Sequence, residues 1–343
     1  MKRWMFARSL ARGATRALLT FALTVVGLLL ITFLIQKASP IDPVLRVVGD
    51  HASPEAYHAV YVEMGMDRPL YVQFGRYLGK VSRGDLGVST STGRPVVEDL
   101  AQYFPATVEL ATVAIVLGVL FGVPLGMWAA QRHNGKVDQY VRVLSLVGYS
   151  VPIFWMGLMG LLLFYAKLKL VAGPGRIDDI WKYTLQSSTN FMLIDTLRDR
   201  NWEAMRNALS HLILPALLLA YMSMAYIARM TRAFVLEELG KEYVLFARVK
   251  GATETRLLWL HVLPNIAAPL VTVISLSYAT LLEGAVLTES VFSWPGIGLY
   301  VTNALFTADV TAVLGGTLLI GFCFVALNAV SDQFGYWLDP RVR

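Results

Sequence analysis

The chain has one cysteine, Cys323, among 343 residues. A lone thiol excludes a disulfide framework and a cysteine-ligated metal site. Charge is scarce as well: 16% of the residues are ionised acids or bases, against roughly 25% in an ordinary soluble domain. Hydrophobic residues make up 56% of the chain and mean hydropathy is +0.54. That balance excludes a disordered segment and an ordinary water-soluble enzyme, which could not hide so much apolar surface. Catalytic signatures are missing too. There is no G-x-x-x-x-G-K-[ST] phosphate cradle and no H-E-x-x-H, and His51, His58, His133, His211 and His261 are scattered. Gly148-Tyr-Ser-Val-Pro approaches a nucleophile elbow, but lacks its second glycine and lies within an apolar run.

Long apolar runs are what the chain does have. A bilayer core of about 30 Å takes roughly 20 residues of helix. Six segments meet that length: 15–35, 107–130, 143–166, 212–233, 266–287 and 310–331. The expected fold is therefore an all-α membrane protein with six transmembrane helices. The first segment could be a signal peptide behind Lys2, Arg3, Arg8, Arg12 and Arg16. Its apolar run exceeds a signal core, and no clear A-x-A site follows, so it reads as an uncleaved anchor.

Lys and Arg set the orientation. The basic N-terminal flank, the short loop with Arg132, Lys136 and Arg142, the stretch from Arg229 to Arg256, and Arg341 and Arg343 fall on one side. The long segments 36–106 and 167–211 fall on the other, where acids nearly cancel their bases. Both termini are then cytoplasmic, and the net charge of +6 is chiefly an orientation signal. No basic face is clustered enough for nucleic acid. The expected organisation is an N-terminal region, 1–103, carrying the first span and a small extracytoplasmic subdomain. A core at 104–332 and a cytoplasmic tail at 333–343 follow.

Several residues inside the spans carry an expectation. Pro124 and Pro152 mark either packing kinks or hinges. Gly118, Gly122 and Gly126 recur every four residues, which allows close helix approach. Glu109 and Glu283 are carboxylates within spans, either functional or facing interfacial water near a span end.

The segment 237–265 carries the most information. Before Gly251, Tyr243, Phe246, Ala247 and Val249 recur at helical spacing among charges. Gly251 suits a helix stop with positive φ. Thr253 suits the N-cap of the next helix, with Glu254 in its first turn. Leu257, Leu258, Trp259, Leu260 and Val262 follow, and Pro264 marks the return to the membrane. A polar-side loop this rich in apolar residues expects a protein partner, or else lies on the lipid surface.

This segment resembles the EAA loop of permease subunits in binding-protein-dependent ABC importers. Tyr243, Val244, Ala247, Arg248, Lys250, Gly251, His261, Leu263, Pro264 and Asn265 match the dipeptide/oligopeptide/nickel branch. The first two EAA positions, here Leu245 and Phe246, depart from the general pattern. Asp67-Arg-Pro-Leu-Tyr-Val-Gln-Phe, Gly84-Asp-Leu-Gly-Val-Ser and Glu289-Ser-Val-Phe-Ser-Trp-Pro-Gly-Ile-Gly look like the same branch.

The resemblance implies a type I ABC importer permease fold and a non-catalytic subunit. It further implies half of a translocation pathway for short peptides, with nickel, glutathione, opines or sugars as alternatives and a secondary transporter as a more distant one. The implied partners are a second permease subunit, two ATP-binding subunits that hold ATP and Mg, and an extracytoplasmic substrate-binding protein. The implied ATPase-docking residues are Tyr243, Ala247, Arg248, Lys250, Gly251, Leu257, His261 and Pro264. Arg248 and Lys250 are expected either to pair with acids on the ATPase or to form a solvated face. The turn with Glu289, Trp294, Pro295 and Gly296 is expected to line the outer mouth or to be a tight turn between spans.

Overall fold

The computed structural model describes residues 2–38, 42–49, 51–185 and 188–338. Pro40, Arg341 and Arg343 lie outside these. The described chain is helical, with one isolated bridge between Val88 and Pro95. Helix α1 is Lys2–Ala38, and its span-forming part is Leu19–Ala38. Three short helices follow: α2 (Pro43–Val48), α3 (Pro54–Glu63) and α4 (Leu70–Val81). Ser53 caps α3 through a hydrogen bond from the Ala56 N–H (3.2 Å), and Pro54 takes the first turn, where a missing N–H costs nothing. Helix α5 (Val96–Gln131) passes through Pro105 and Pro124 without breaking. The expected boundary at 103/104 falls inside α5, so the 42–95 segment joins the bundle through continuous helix.

Helix α6 (Lys136–Ser150) and α7 (Ile153–Gly160) meet at a bend of 95°. The third expected span, 143–166, is therefore not one straight helix. Pro152 has no N–H to donate and drives Val151 into extended backbone (ψ 126°). A π-helical stretch, Leu161–Lys167, completes the span. Two small helices, α8 (Asp179–Lys182) and α9 (Met192–Arg198), lie in the segment before α10 (Trp202–Leu239). Next come α11 (Glu242–Val249) and α12 (Glu254–Arg256), and a second π-helical stretch, Leu257–Val262, leads into α13 (Leu263–Val291). Pro264, which cannot donate the helical bond, sits just beyond it. The short apolar α14 (Ile297–Phe306) and the long α15 (Val310–Leu338) close the chain.

Among the described residues, five helices are long and apolar enough to cross a membrane, and six if the bent pair counts as one. Residues 132–135 and 240–262 share one end of the bundle, the loop end. The 42–95 segment, 168–201 and 292–309 share the other, the far end.

The bundle is built on α5 against α10. Gly118, Gly122 and Gly126 lie against Ser223, Ile227 and Thr231, two matching rows one turn apart. A Cβ at Gly126 would meet Thr231 Cβ at 2.7 Å, so these glycines let the backbones approach where any side chain would hold them apart. The core gathers around Leu110, Leu219, Ile227, Val235 and Trp294. The outer faces are apolar and exposed, as at Leu120, Phe154, Leu158 and Phe322, as a lipid solvent requires.

Candidate functional site

At the loop end, α11 stops in a Schellman motif. Gly251 takes φ +85°, its N–H bonds the Arg248 carbonyl (2.9 Å), and the Ala252 N–H bonds the Ala247 carbonyl (3.1 Å). Thr253 then accepts the Arg256 N–H at 3.4 Å. The loop has two faces. Val244, Leu257, Leu258 and Val262 are buried in the bundle core. Leu245, Phe246, Val249 and Leu260 stand exposed on the other face, and Trp259 is half exposed. Leu257, expected among docking residues, is fully buried and anchors the loop instead. Val244 is the anchor that periodicity does not single out, because most of the eight residues of α11 are apolar and mark no single buried face.

Polar contacts brace this surface. Arg248 donates to both oxygens of Glu254 (2.8 and 3.1 Å), clasping the helices on either side of Gly251. Lys250 stands 4.3 Å from the centre of the Phe246 ring. Both cations find partners within the loop while remaining exposed. Tyr243 donates to Glu238 (2.9 Å), which also pairs with Lys241. Burial, then that carboxylate, pushes the Tyr243 phenol up to about 12, so it stays a neutral donor. Ala247 is half-buried, while His261 and Pro264 are exposed, and the His261 carbonyl accepts the Asn265 side-chain amide (2.7 Å).

Nearby, Asp138 is fully buried and accepts two bonds from Arg232 (2.5 and 2.8 Å) and one from the Asn134 N–H (2.9 Å). This clamp ties α6 to α10. Sequence reading missed it, because its two members lie 94 residues apart.

At the far end, Glu109 does not face interfacial water. It is buried and paired with Arg176 (2.5 and 3.1 Å), and its other oxygen accepts the Leu193 N–H (2.7 Å). Arg176 also donates to the Asn190 carbonyl (3.0 Å) and lies 5.7 Å from the centre of the Trp294 ring. Glu289 is 0% exposed and accepts from Thr107 (2.7 Å) and the Leu299 N–H (3.1 Å). Thr107 in turn accepts the Ile297 N–H at 2.8 Å, and the Trp294 indole donates to the Ala106 carbonyl at 2.9 Å. A Cβ at Gly296 would run into the Glu289 carboxylate, which is why glycine stands there.

The turn with Glu289, Trp294, Pro295 and Gly296 is therefore a tight turn packed between spans. It does not line an open mouth: Trp294 is 1% exposed. Close by, Asp309 accepts from Ser89 (2.7 Å) and from the Ser91 N–H (3.0 Å). Burial works to raise its pKa, but these hydrogen bonds and that of Ala312 outweigh it and hold the carboxyl below its ordinary value.

Glu283 is placed differently. It is exposed on α13, one turn from exposed Thr280 and beside the open Gly284, and no ion pair or hydrogen bond engages it among the described residues. No group of acids, histidines or cysteine that could hold a metal occurs among the described residues.

Residues 122–343 match a family described as the binding-protein-dependent transport system inner membrane component, and residues 9–111 match the N-terminal region of such membrane components. A probable D,D-dipeptide transport system permease protein of Escherichia coli K12 is 42% identical over 320 residues, covering 93% of this chain and 94% of its own. The dipeptide transport system permease protein DppB of the same strain is 38% identical, covering 93% and 95%. A di/tripeptide permease protein of Pseudomonas aeruginosa is 39% identical, covering 93% and 95%. Among solved structures, an inward-facing form of the MetNI methionine ABC transporter superposes with TM-score 0.51 at 15% identity, covering 68% of this chain and 93% of that one, a likeness of fold.

Proposed function

The chain belongs to the binding-protein-dependent transport system inner membrane component family, and from that premise we propose that it is the permease subunit of an ATP-driven importer of short peptides. The peptide reading rests on relatives whose names specify dipeptides and di/tripeptides. The observation that carries the mechanism is the two-faced loop. Leu245, Phe246, Val249 and Leu260 present an apolar surface on a support fixed by buried Val244, Leu257 and Val262. A rigid apolar ledge outside the lipid-facing spans fits a groove on an ATP-hydrolysing partner, and movement imposed there passes directly into α13, the continuation of the loop.

ATP and Mg are held by two such partner subunits, and this chain does no chemistry. A second permease subunit completes the pathway. Glu283 with Thr280 faces it, since an unpaired carboxylate is expensive against hydrocarbon. An extracytoplasmic binding protein delivers the peptide to the far end, both termini are cytoplasmic, and the membrane is a bacterial inner membrane.

The test is Phe246→Asp in the assembled importer. Placing a charge on the apolar ledge is expected to remove the ATPase subunits from the purified complex, while the amount of chain in the membrane stays at its wild-type level. Retention of the ATPases at wild-type stoichiometry would overturn the docking role.

A further inference from the structure

A cavity of about 570 Å³ lies at the far end between α1, α4 and α15. Helices α1 and α15 touch toward the loop end, where Phe21 meets Phe322 (5.8 Å between ring centres) and Leu28 lies against Gly321. Beyond that contact, the cavity separates them. Its floor is apolar, formed by Leu86, Val310, Leu314 and Leu318. Val310 to Leu318 covers about 12 Å along α15 at 1.5 Å per residue, close to one leaflet's share of a ~30 Å hydrocarbon core.

The rim carries Gln36, Lys80, Asp85 and Thr90. Gln36, Lys80 and Thr90 have no side-chain hydrogen bond among the described residues, and Lys80 and Asp85 form no ion pair with each other. One Asp85 oxygen accepts the Gly87 N–H (3.0 Å), which leaves the other open. Aromatic contacts fix the wall on the α4 side. Phe33 packs on Phe74 and Tyr77, and Tyr77 shares a hydrogen bond with Thr32 (3.2 Å).

We propose that this cavity binds one zwitterionic phospholipid of the leaflet bordering the 42–95 segment: an acyl chain lies along Leu314 and Leu318, the phosphate meets Lys80, and the headgroup ammonium meets Asp85. The volume falls in the ~300–1,000 Å³ range of small-molecule sites. The polarity runs in the order a lipid needs, apolar at acyl depth and charged at headgroup depth. A soluble anion would use Lys80 but has no need of the floor. This site is independent of the peptide-import reading.

The test uses phosphatidylethanolamine with a photoreactive diazirine on its acyl chain, added to the full chain in native membranes, with labelled residues mapped by mass spectrometry. Labelling is expected to concentrate on 310–318 and on Leu86. It is expected to fall about fivefold in Lys80→Gln, the worth of one basic residue at a membrane surface, and to resist excess inorganic phosphate. Asp85→Asn is expected to lower labelling by phosphatidylethanolamine and not by phosphatidylglycerol carrying the same diazirine. Leu314→Trp is expected to block labelling by filling the floor. Because Lys80 and Asp85 are exposed, their variants leave the fold intact should Leu314→Trp not assemble. Labelling spread evenly over lipid-facing residues, or unchanged in Lys80→Gln, or displaced by inorganic phosphate, would overturn the proposal.

Discussion

Replacing Gly251 with valine is expected to leave the chain inserted in the membrane and to cut ATP-driven uptake severely. No heavy atom lies within 4 Å of the place a Cβ would occupy, so crowding is not the cause. The cause is the backbone. At φ +85° a β-branched residue is strained by about 1–3 kcal/mol, comparable to the net worth of the two hydrogen bonds of the Schellman stop. Relieving that strain re-aims α11 relative to α12 and breaks the Arg248–Glu254 clasp, so the apolar ledge loses its shape while the buried anchors still hold the spans. Uptake and peptide-stimulated ATP hydrolysis in proteoliposomes are expected to fall about tenfold or more, as a loss of ~1.4 kcal/mol or more implies. Gly251→Asn, which tolerates positive φ, is expected to keep most of both. Normal uptake in Gly251→Val would contradict the role given to this turn.

The second large effect is expected at the far end. Arg176→Met leaves the buried Glu109 carboxylate without its cation, and breaking a buried pair from one side costs about 3–5 kcal/mol. The side chains of Arg176 and Glu109 are 9% and 6% exposed, so solvent screens this pair little. The single variant is expected to unfold at a clearly lower temperature than the wild type in detergent, and to accumulate poorly in the membrane. The double variant Arg176→Met with Glu109→Gln is expected to recover most of that loss, because no buried charge is left behind. A single variant as stable as the wild type, or a double no better than the single, would show that the pair does not lock the 168–201 segment to α5.

The spans and the loop were legible because both rest on local patterns. Apolar length marks a bilayer crossing, and Gly251, Thr253 and Pro264 fix where helices stop and start within a few residues. The glycine ladder was legible for the same reason: a four-residue repeat already places Gly118, Gly122 and Gly126 on one face. Partnership across distance was not. Nothing near Glu109 in sequence points to Arg176, 67 residues away, and nothing near Asp138 points to Arg232. Arg248 shows the limit most clearly. Its spacing from Glu254, six residues on, marks no contact on one straight helix, and the two meet only because Gly251 turns the chain back. Trp294 shows it in another way, since an apolar turn reads alike whether it lines a mouth or fills a core. The 95° bend at Pro152 exceeded the kink or hinge that a proline alone announces.

The central claim is that this chain is half of a pathway moved from outside itself, through the 240–262 loop. The most direct measurement is uptake of a radiolabelled dipeptide into proteoliposomes that hold this chain and its second permease subunit, with and without the ATPase subunits, internal ATP and the binding protein. Uptake is expected only when all of these are present, and a proton gradient alone is expected to drive none. Peptide accumulation by the permease chains without the ATPases, driven by an ion gradient, would contradict the account.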